Sequence, residues 1–239
     1  MPGVRFLTIF ERFAAVGPSP VSDVLDEAGF HSQTLDPGLI PMGCATPFCG
    51  PAVCVRGERR VATRTTAAAG SYLPIYGLPA MVTPGAVLIF AVGGFRGGAV
   101  LGGLIAGDLV EAQAAGFITD GFIRDRDEVA AGALPIVAAG AIPSNGARRI
   151  QIAGRDLPVS LPGPEGSHVV ITPGDIIVGD GDGVVVVPAA VADAVIEMAE
   201  EIVRKEHILL ANLNNLSMDE RAEARAERMA HVRWLREQG

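Results

Sequence analysis

The spacing of apolar and polar residues changes period several times along the chain, and each change predicts an element. Residues 86–92, Ala-Val-Leu-Ile-Phe-Ala-Val, are a continuous apolar run ending in Gly93-Gly94, as expected of a strand covered on both faces. After GGFRGGAVLGG, the residues Leu101, Leu104, Ile105, Leu109, Ala112 and Ala115 recur at helical spacing up to Gly116, so a helix is predicted to start near Gly102. FITDGFIRD then alternates in period two and predicts a strand ending at the charged turn Arg124-Asp125-Arg126-Asp127. Together these form a strand-helix-strand unit with the glycine turn and the charged turn at one sheet end.

Around this unit the pattern is mixed. Ser19 as N-cap, Pro20 in the first turn and Gly29 as a stop frame a short amphipathic helix bearing Val21, Val24, Leu25 and Ala28. Residues 40–66 read as short strands, including GPAVCVRG and RVATRTT. Further strands are expected in PIVAAG, RRIQIAG and HVVITPGDIIVGDGDGVVVVP, with turns at Pro173-Gly174-Asp175 and Gly181-Asp182-Gly183. Residues 189–213 return to helix, with Val191, Val195, Met198, Ile202 and Ile208 as the apolar side. A capping box from Ser217 to Glu220 opens a last helix, predicted to continue through ERAEARAERMAHVRWLREQ. That helix is either solvated or docked on another subunit through Met218, Ala222, Met229 and Trp234. The expected organisation is one domain over residues 1–213 and a helical tail over 214–239.

Composition narrows the function classes. Of the 239 residues 49% are apolar, with 30 glycines and few aromatics, which suits short strands and tight turns around a buried sheet. A net charge of −8 without a Lys/Arg run argues against a nucleic-acid partner. No stretch is long and apolar enough for a bilayer, and the N-terminus carries Glu11 rather than a secretory pattern, so no membrane is expected and the location is read as cytoplasmic. Cys44, Cys49 and Cys54 are read as buried free thiols, because a fourth metal ligand is missing.

Two features could carry chemistry. A helix starting at glycines leaves N–H groups aimed at one point, so a carboxylate or phosphate could sit over Gly102, Gly103, Leu104 and Ile105; simple packing glycines are the competing explanation. No GxxxxGK[ST] or fitting GxGxxG is present, which excludes a nucleotide loop. At the neighbouring turn, Asp125 is a hard oxygen donor suited to Mg²⁺ and Arg124 a fork for a carboxylate or enolate, although a surface ion-pair turn would look the same. Asp120 is either a base or a strand-end turn residue. GDGDG lacks a calcium loop's remaining ligands and reads as a hairpin turn, and the four histidines show no metal spacing.

LGGLIAGDLVEAQAAGFITDGFIRD resembles the signature of RraA-like proteins, which include class II 4-hydroxy-4-methyl-2-oxoglutarate aldolases. VSDVLDEAG, LIPMGCATPFCGPAVCV, PIVAAGAIP and ITPGDIIVGDGDGVVVVP resemble the family in the same order, so the likeness covers roughly residues 20–206. The resemblance implies an α/β fold, a three-layer swivelling β/β/α domain here extended by a C-terminal helix. It also implies a homotrimer or homohexamer with the active site near a subunit boundary. By position it implies that Gly102, Gly103, Leu104 and Ile105 line a pyruvyl-binding turn, that Arg124 binds substrate and that Asp125 ligates Mg²⁺, Mn²⁺ or another divalent cation. The family's aldolases carry an acidic residue where this chain has Gly103, and a glutamate from the adjacent subunit's late helix, for which Glu206 is the nearest match.

The function so implied is a metal-dependent lyase that releases pyruvate from a small 2-oxo acid through an enolpyruvate intermediate. Retro-aldol cleavage needs a base, with Asp120 as a candidate, whereas decarboxylation of oxaloacetate needs only an electron sink, so Gly103 puts the aldolase half in question. Two rivals stand beside it. One is a regulatory binding protein, since some family members inhibit ribonuclease E by protein contact. The other is an enzyme for a different 2-oxo or sugar acid that recruits Arg96 and the room beside Gly103. A menaquinone methyltransferase finds no support, because no matching cofactor loop is present.

Overall fold

The computed structural model describes residues 7–43, 47–60 and 74–236. Its centre is a nine-stranded mixed sheet in which β6 (Ile136–Ala141), β5 (Gly116–Ile123), β3 (Val87–Ala91) and β2 (Phe48–Arg59) run parallel as neighbours. β1 (Ile40–Met42) closes one edge antiparallel to β6, and β10 (Ile176–Gly179) and β11 (Val184–Val187) continue the other edge beyond β2. β4 (Ala99–Leu101) pairs with β5, and β7 (Ile150–Arg155) with β2. Parallel neighbours require crossovers, here α3 (Gly103–Glu111) between β3 and β5 and α4 (Arg126–Ala131) between β5 and β6.

Period-two alternation divides the sheet residues between two cores. On β3, Leu88 and Phe90 face a core shared with Ile105, Leu109 and Val129 of α3 and α4. Val87, Ile89 and Ala91 face the opposite side, which is covered by a separate hairpin of β8 (Val159–Pro162) and β9 (His168–Ile171) through Val159, Leu161, Val169 and Ile171. This gives the continuous apolar run its cause, since burial on both faces leaves no polar positions. A third core lies over β10 and β11, formed by α1 (Ile9–Val16), α2 (Pro18–Glu27) and α5 (Ala192–Asn212). The mixed α/β class and the C-terminal helix are as the sequence predicts.

Local chemistry explains most boundaries. The GDGDG segment is the β10–β11 hairpin turn, where Asp180 Oδ1 accepts from the Asp182 N–H at 2.8 Å. Two helix ends differ from expectation. Ser19 is not the N-cap of α2: Gly17, at φ 81°, takes that place and puts Pro18 in the first turn. Gly29 does stop that helix, at φ 95°, with the Phe30 N–H bonded to Leu25 O and the Gly29 N–H to Asp26 O. α3 ends at Glu111 rather than Gly116, because Gln113 adopts the left-handed conformation and the Ala114 N–H closes on Leu109 O. Among the helices and strands, four were not anticipated, namely α1, α4, β4 and β8. The expected strand over residues 60–66 lies, beyond Arg60, outside the described residues, as does Cys44. Burial pushes the Cys49 and Cys54 thiols up to about 12, which disfavours the thiolate at both.

The tail corrects its expectation. α6 (Met218–Glu227) has the Ser217–Glu220 capping box but stops well short of the predicted end. α6 itself is solvated, with no buried residue and with Met218 71% exposed, whereas the chain after it folds back on its own α2 and α5: Met229, Val232 and Leu235 pack on the third core, and the Leu235 N–H bonds Ala28 O at 3.0 Å. Trp234 covers Gly29, where a Cβ would lie 2.7 Å from the indole ring. His231 Nε2 donates to Met198 O, and Nδ1 accepts from the Lys205 ammonium, which sets the tautomer. No helix among the described residues is long and apolar enough to cross a membrane.

Candidate active site

The parallel strands bring the two sequence features to one place. The Arg124 N–H bonds Leu101 O at 2.9 Å, tying the end of β5 to the end of β4, from which Gly102 leads directly into α3. Asp125 follows in the left-handed conformation, φ 57° and ψ 41°, as the N-cap of α4. That backbone turns its carboxylate to α3, where Oδ2 accepts from the Gly103 N–H at 3.1 Å and lies 3.4 Å from Arg124 Nε. Asp is among the few residues other than glycine that adopt this conformation readily.

Gly102 makes the approach possible. A Cβ there would lie 2.7 Å from Asp125 Oδ2 and 2.8 Å from Arg124 Nε. The glycine is thus required for space and not for backbone strain, its φ being −149°. Leu101, Gly102, Leu104, Ile105 and Arg124 line a small cleft with Ala99, Ile75, Tyr76 and Asn145. The N–H groups of Leu104 and Ile105 have no intrahelical partner at this helix start and add a positive field. Ile105 is buried, whereas the Leu104 side chain is 79% exposed at the rim.

The remaining expected residues lie elsewhere or act differently. Asp120 is 4% exposed, and its two oxygens accept from the N–H groups of Val92 and Gly94, each at 2.6 Å. The cause is a break in the β5–β6 register between Thr119 and Phe122; Thr119 Oγ1 there donates to Phe90 O and accepts from the Gly121 N–H. Asp120 therefore anchors the glycine loop after β3. Glu206 belongs to the groove between α5 and the tail, where it bonds Arg228 Nη1 at 2.5 Å, and does not line the cleft of its own chain. Arg96 stacks over the Phe122 ring at 5.6 Å. The space beside Gly103 is not empty: a Cβ there would lie 2.6 Å from Glu128 Cδ, on the first turn of α4.

Sequence reasoning missed Tyr76, Asn145 and Glu128. Asn145 Nδ2 lies 3.4 Å from Tyr76 Oη, forming a polar wall opposite the helix start. No local motif marks these residues, because the sheet brings them in from three separate segments. The best signal available was Asn145 itself, in the Pro143-Ser144-Asn145-Gly146 turn stretch between the predicted strands PIVAAG and RRIQIAG.

The metal question turns on the donor set. Among the described residues no group of three or more His, Cys, Asp or Glu could enclose an ion. A Mg²⁺ ion commonly takes one or two carboxylates and fills its other positions with water and substrate oxygens. Asp125 suits that pattern, as its Oδ1 takes no hydrogen bond among the described residues. The residues present thus fit a hard cation held jointly with substrate, and do not fit a closed structural metal site.

The RraA-like family profile (Aldolase/RraA) matches residues 19–186, well over half of the chain. The protein belongs to the RraA-like family. It is 28% identical over 198 residues, 83% of each chain, to a Halalkalibacterium halodurans protein named "Putative 4-hydroxy-4-methyl-2-oxoglutarate aldolase". A solved structure from Pseudomonas syringae pv. tomato superimposes with a TM-score of 0.76 at 22% identity, covering 95% of this chain and 99% of that one. Streptomyces coelicolor RraAS2, described as an unusual member of the RNase ES inhibitor RraA protein family, superimposes with a TM-score of 0.72 at 24% identity, covering 85% and 97%. At these identities the two structures establish the fold alone.

Proposed function

We propose that this RraA-like protein is a divalent-metal-dependent carbon–carbon lyase that releases pyruvate from a small 2-oxo acid. The observation that carries the reading is the convergence of Arg124 and the glycine-started helix α3 on one cleft, with Asp125 paired to that arginine and bonded to the first N–H of that helix. The guanidinium of Arg124 holds the 2-oxo oxygen or the adjacent carboxylate, and its planar fork suits both. The Leu104 and Ile105 N–H groups receive the other end of the acid. Asp125 would hold Mg²⁺ or Mn²⁺, which when bound supplies Lewis-acid polarisation of the 2-oxo group. As the carbon–carbon bond breaks, charge moves onto the 2-oxo oxygen. Arg124 and the helix start are already oriented to it, so little reorganisation is needed in the transition state.

Aldol cleavage of a 4-hydroxy-2-oxo diacid and decarboxylation of oxaloacetate leave the same enolate, and both belong to this reading. A trimer or hexamer with the site near a subunit boundary belongs to the same reading, and a partner there would cover Leu104, exposed at the cleft rim. The test is pyruvate release, coupled to lactate dehydrogenase, from oxaloacetate and from 4-hydroxy-4-methyl-2-oxoglutarate, each with Mg²⁺ and with EDTA, above the protein-free rate. Release that requires the metal supports the reading. No metal-dependent release from either substrate rejects it in favour of a binding role or another acid.

A further inference from the structure

Three carboxylates surround the end of β5, and their partners differ. Both oxygens of Asp120 accept main-chain N–H groups, and Asp125 is committed to the Gly103 N–H and Arg124. Glu128 takes no hydrogen bond or ion pair among the described residues. It is the third residue of α4, where an acid is favourable beside the helix start. That explains its presence but not its direction, because it does not close a capping box on its own helix. Instead its carboxylate crosses to α3 and fills the space a side chain at Gly103 would take, 2.6 Å from Cδ and 2.9 Å from Oε2 to a Cβ built there. A free carboxylate thus stands at the first residue of the helix whose start lines the cleft.

From this geometry we infer that Glu128 is the proton acceptor for aldol cleavage, which deepens the lyase reading and rests on it. In the step, the C4 hydroxyl proton passes to the Glu128 carboxylate, directly or through one water, and the C4–O bond becomes a carbonyl. The C3–C4 bond breaks, and its electron pair moves through C2–C3 to the 2-oxo oxygen facing Arg124. The enolate is then protonated at C3, the proton returning from Glu128 or from water, so the products are two ketones with no net proton change. Decarboxylation releases CO₂ from the same side of the enolate and needs no such acceptor. Glu128 therefore separates two reactions that Arg124 and Asp125 serve alike.

The test is Glu128→Gln, assayed on both substrates with Mg²⁺, together with calorimetric titration of Mg²⁺ and oxalate, a planar mimic of the enolate. The ratio of aldol cleavage to decarboxylation is expected to fall about 100-fold while oxalate affinity is retained. The double variant Gly103→Asp/Glu128→Ala, which returns a carboxylate to the vacated space from α3, is expected to recover part of that ratio. An unchanged ratio in Glu128→Gln overturns the inference, as does a parallel loss of both reactions and of oxalate binding, which would make Glu128 a support for the metal or the fold. Wild-type decarboxylation without aldol cleavage removes Glu128 as a base and leaves the enolate site standing. Absence of both metal-dependent reactions removes the lyase reading and this inference with it.

Discussion

The two ends of the sheet treat charged residues in opposite ways. Over β10 and β11, charges are matched and tied to the fold: Arg12 forks onto Glu200 with two 2.7 Å bonds, and Arg228 joins Asp23 of α2 to Glu206 of α5 at 2.7 and 2.5 Å. At the β4–β5 end, among the described residues, the side chains of Arg124 and Asp125 pair only with each other and one main-chain N–H, and Glu128 has no partner. The first arrangement ties α1, α2 and the tail to α5 through partly exposed pairs. The second leaves carboxylate oxygens without a hydrogen bond among the described residues, next to a left-handed Asp125 that caps α4. Within one fold, paired and unpaired charges thus occupy different parts of the sheet, and the proposed chemistry falls on the unpaired part.

Substitutions at the two ends sharpen the contrast. Asp125→Asn keeps a residue that accepts the left-handed conformation but removes the charge, and should lower metal-stimulated pyruvate release at least about 100-fold with an unchanged melting temperature. Full turnover in that variant would detach the metal from Asp125. At the other end, Ile196→Ala empties a fully buried position of the third core. It should cost about 2–5 kcal/mol in denaturant titration, while activity per folded molecule is kept.

A smaller effect is expected where the tail meets α2. Gly29→Ala meets both a φ of 95° and the Trp234 ring, so a loss of more than about 1 kcal/mol is expected. The chain has a single tryptophan, so its fluorescence reports tail displacement directly, and an unshifted spectrum would show that the tail does not rest there. Smallest is the Arg12–Glu200 pair. The hydrogen bonds from Arg12 hold the Glu200 carboxyl below its usual range, so its contribution is present above the unfolded carboxylate value and is lost as the pH falls through the lower folded value. The pair is partly exposed, so Arg12→Ala should reduce stability at neutral pH by under about 1 kcal/mol. That difference should vanish in strong acid; a difference that persists there would assign the effect to packing of the Arg12 stem.

Much of this was legible in the chain, and the failures have local causes. Thr8 and Glu11 form the same reciprocal cap as Ser217 and Glu220, so α1 was marked by a signal that went unread. α4 is too short for its periodicity to show, and Arg126 and Asp127, read as a turn, are its first residues. Asp120 resembled a strand-end base because the bulge that buries it depends on pairing with β6, which the local sequence does not display. Restoring the family's acidic residue at Gly103 would collide with Glu128 unless that residue is shortened as well.

The sequence by itself determined the strand-helix-strand unit, the glycine and charged turns at one sheet end, the hairpin at GDGDG and the cap at Ser217. Each depends on neighbours a few residues apart, where periodicity and turn chemistry act. Only the tertiary structure decided that Glu128 fills the space at Gly103, that Asp120 anchors a loop, that Tyr76 and Asn145 face the helix start, and that the tail closes on its own α2. Those contacts join segments distant along the chain through strand register and core packing, and no local pattern encodes which side chains such packing brings together.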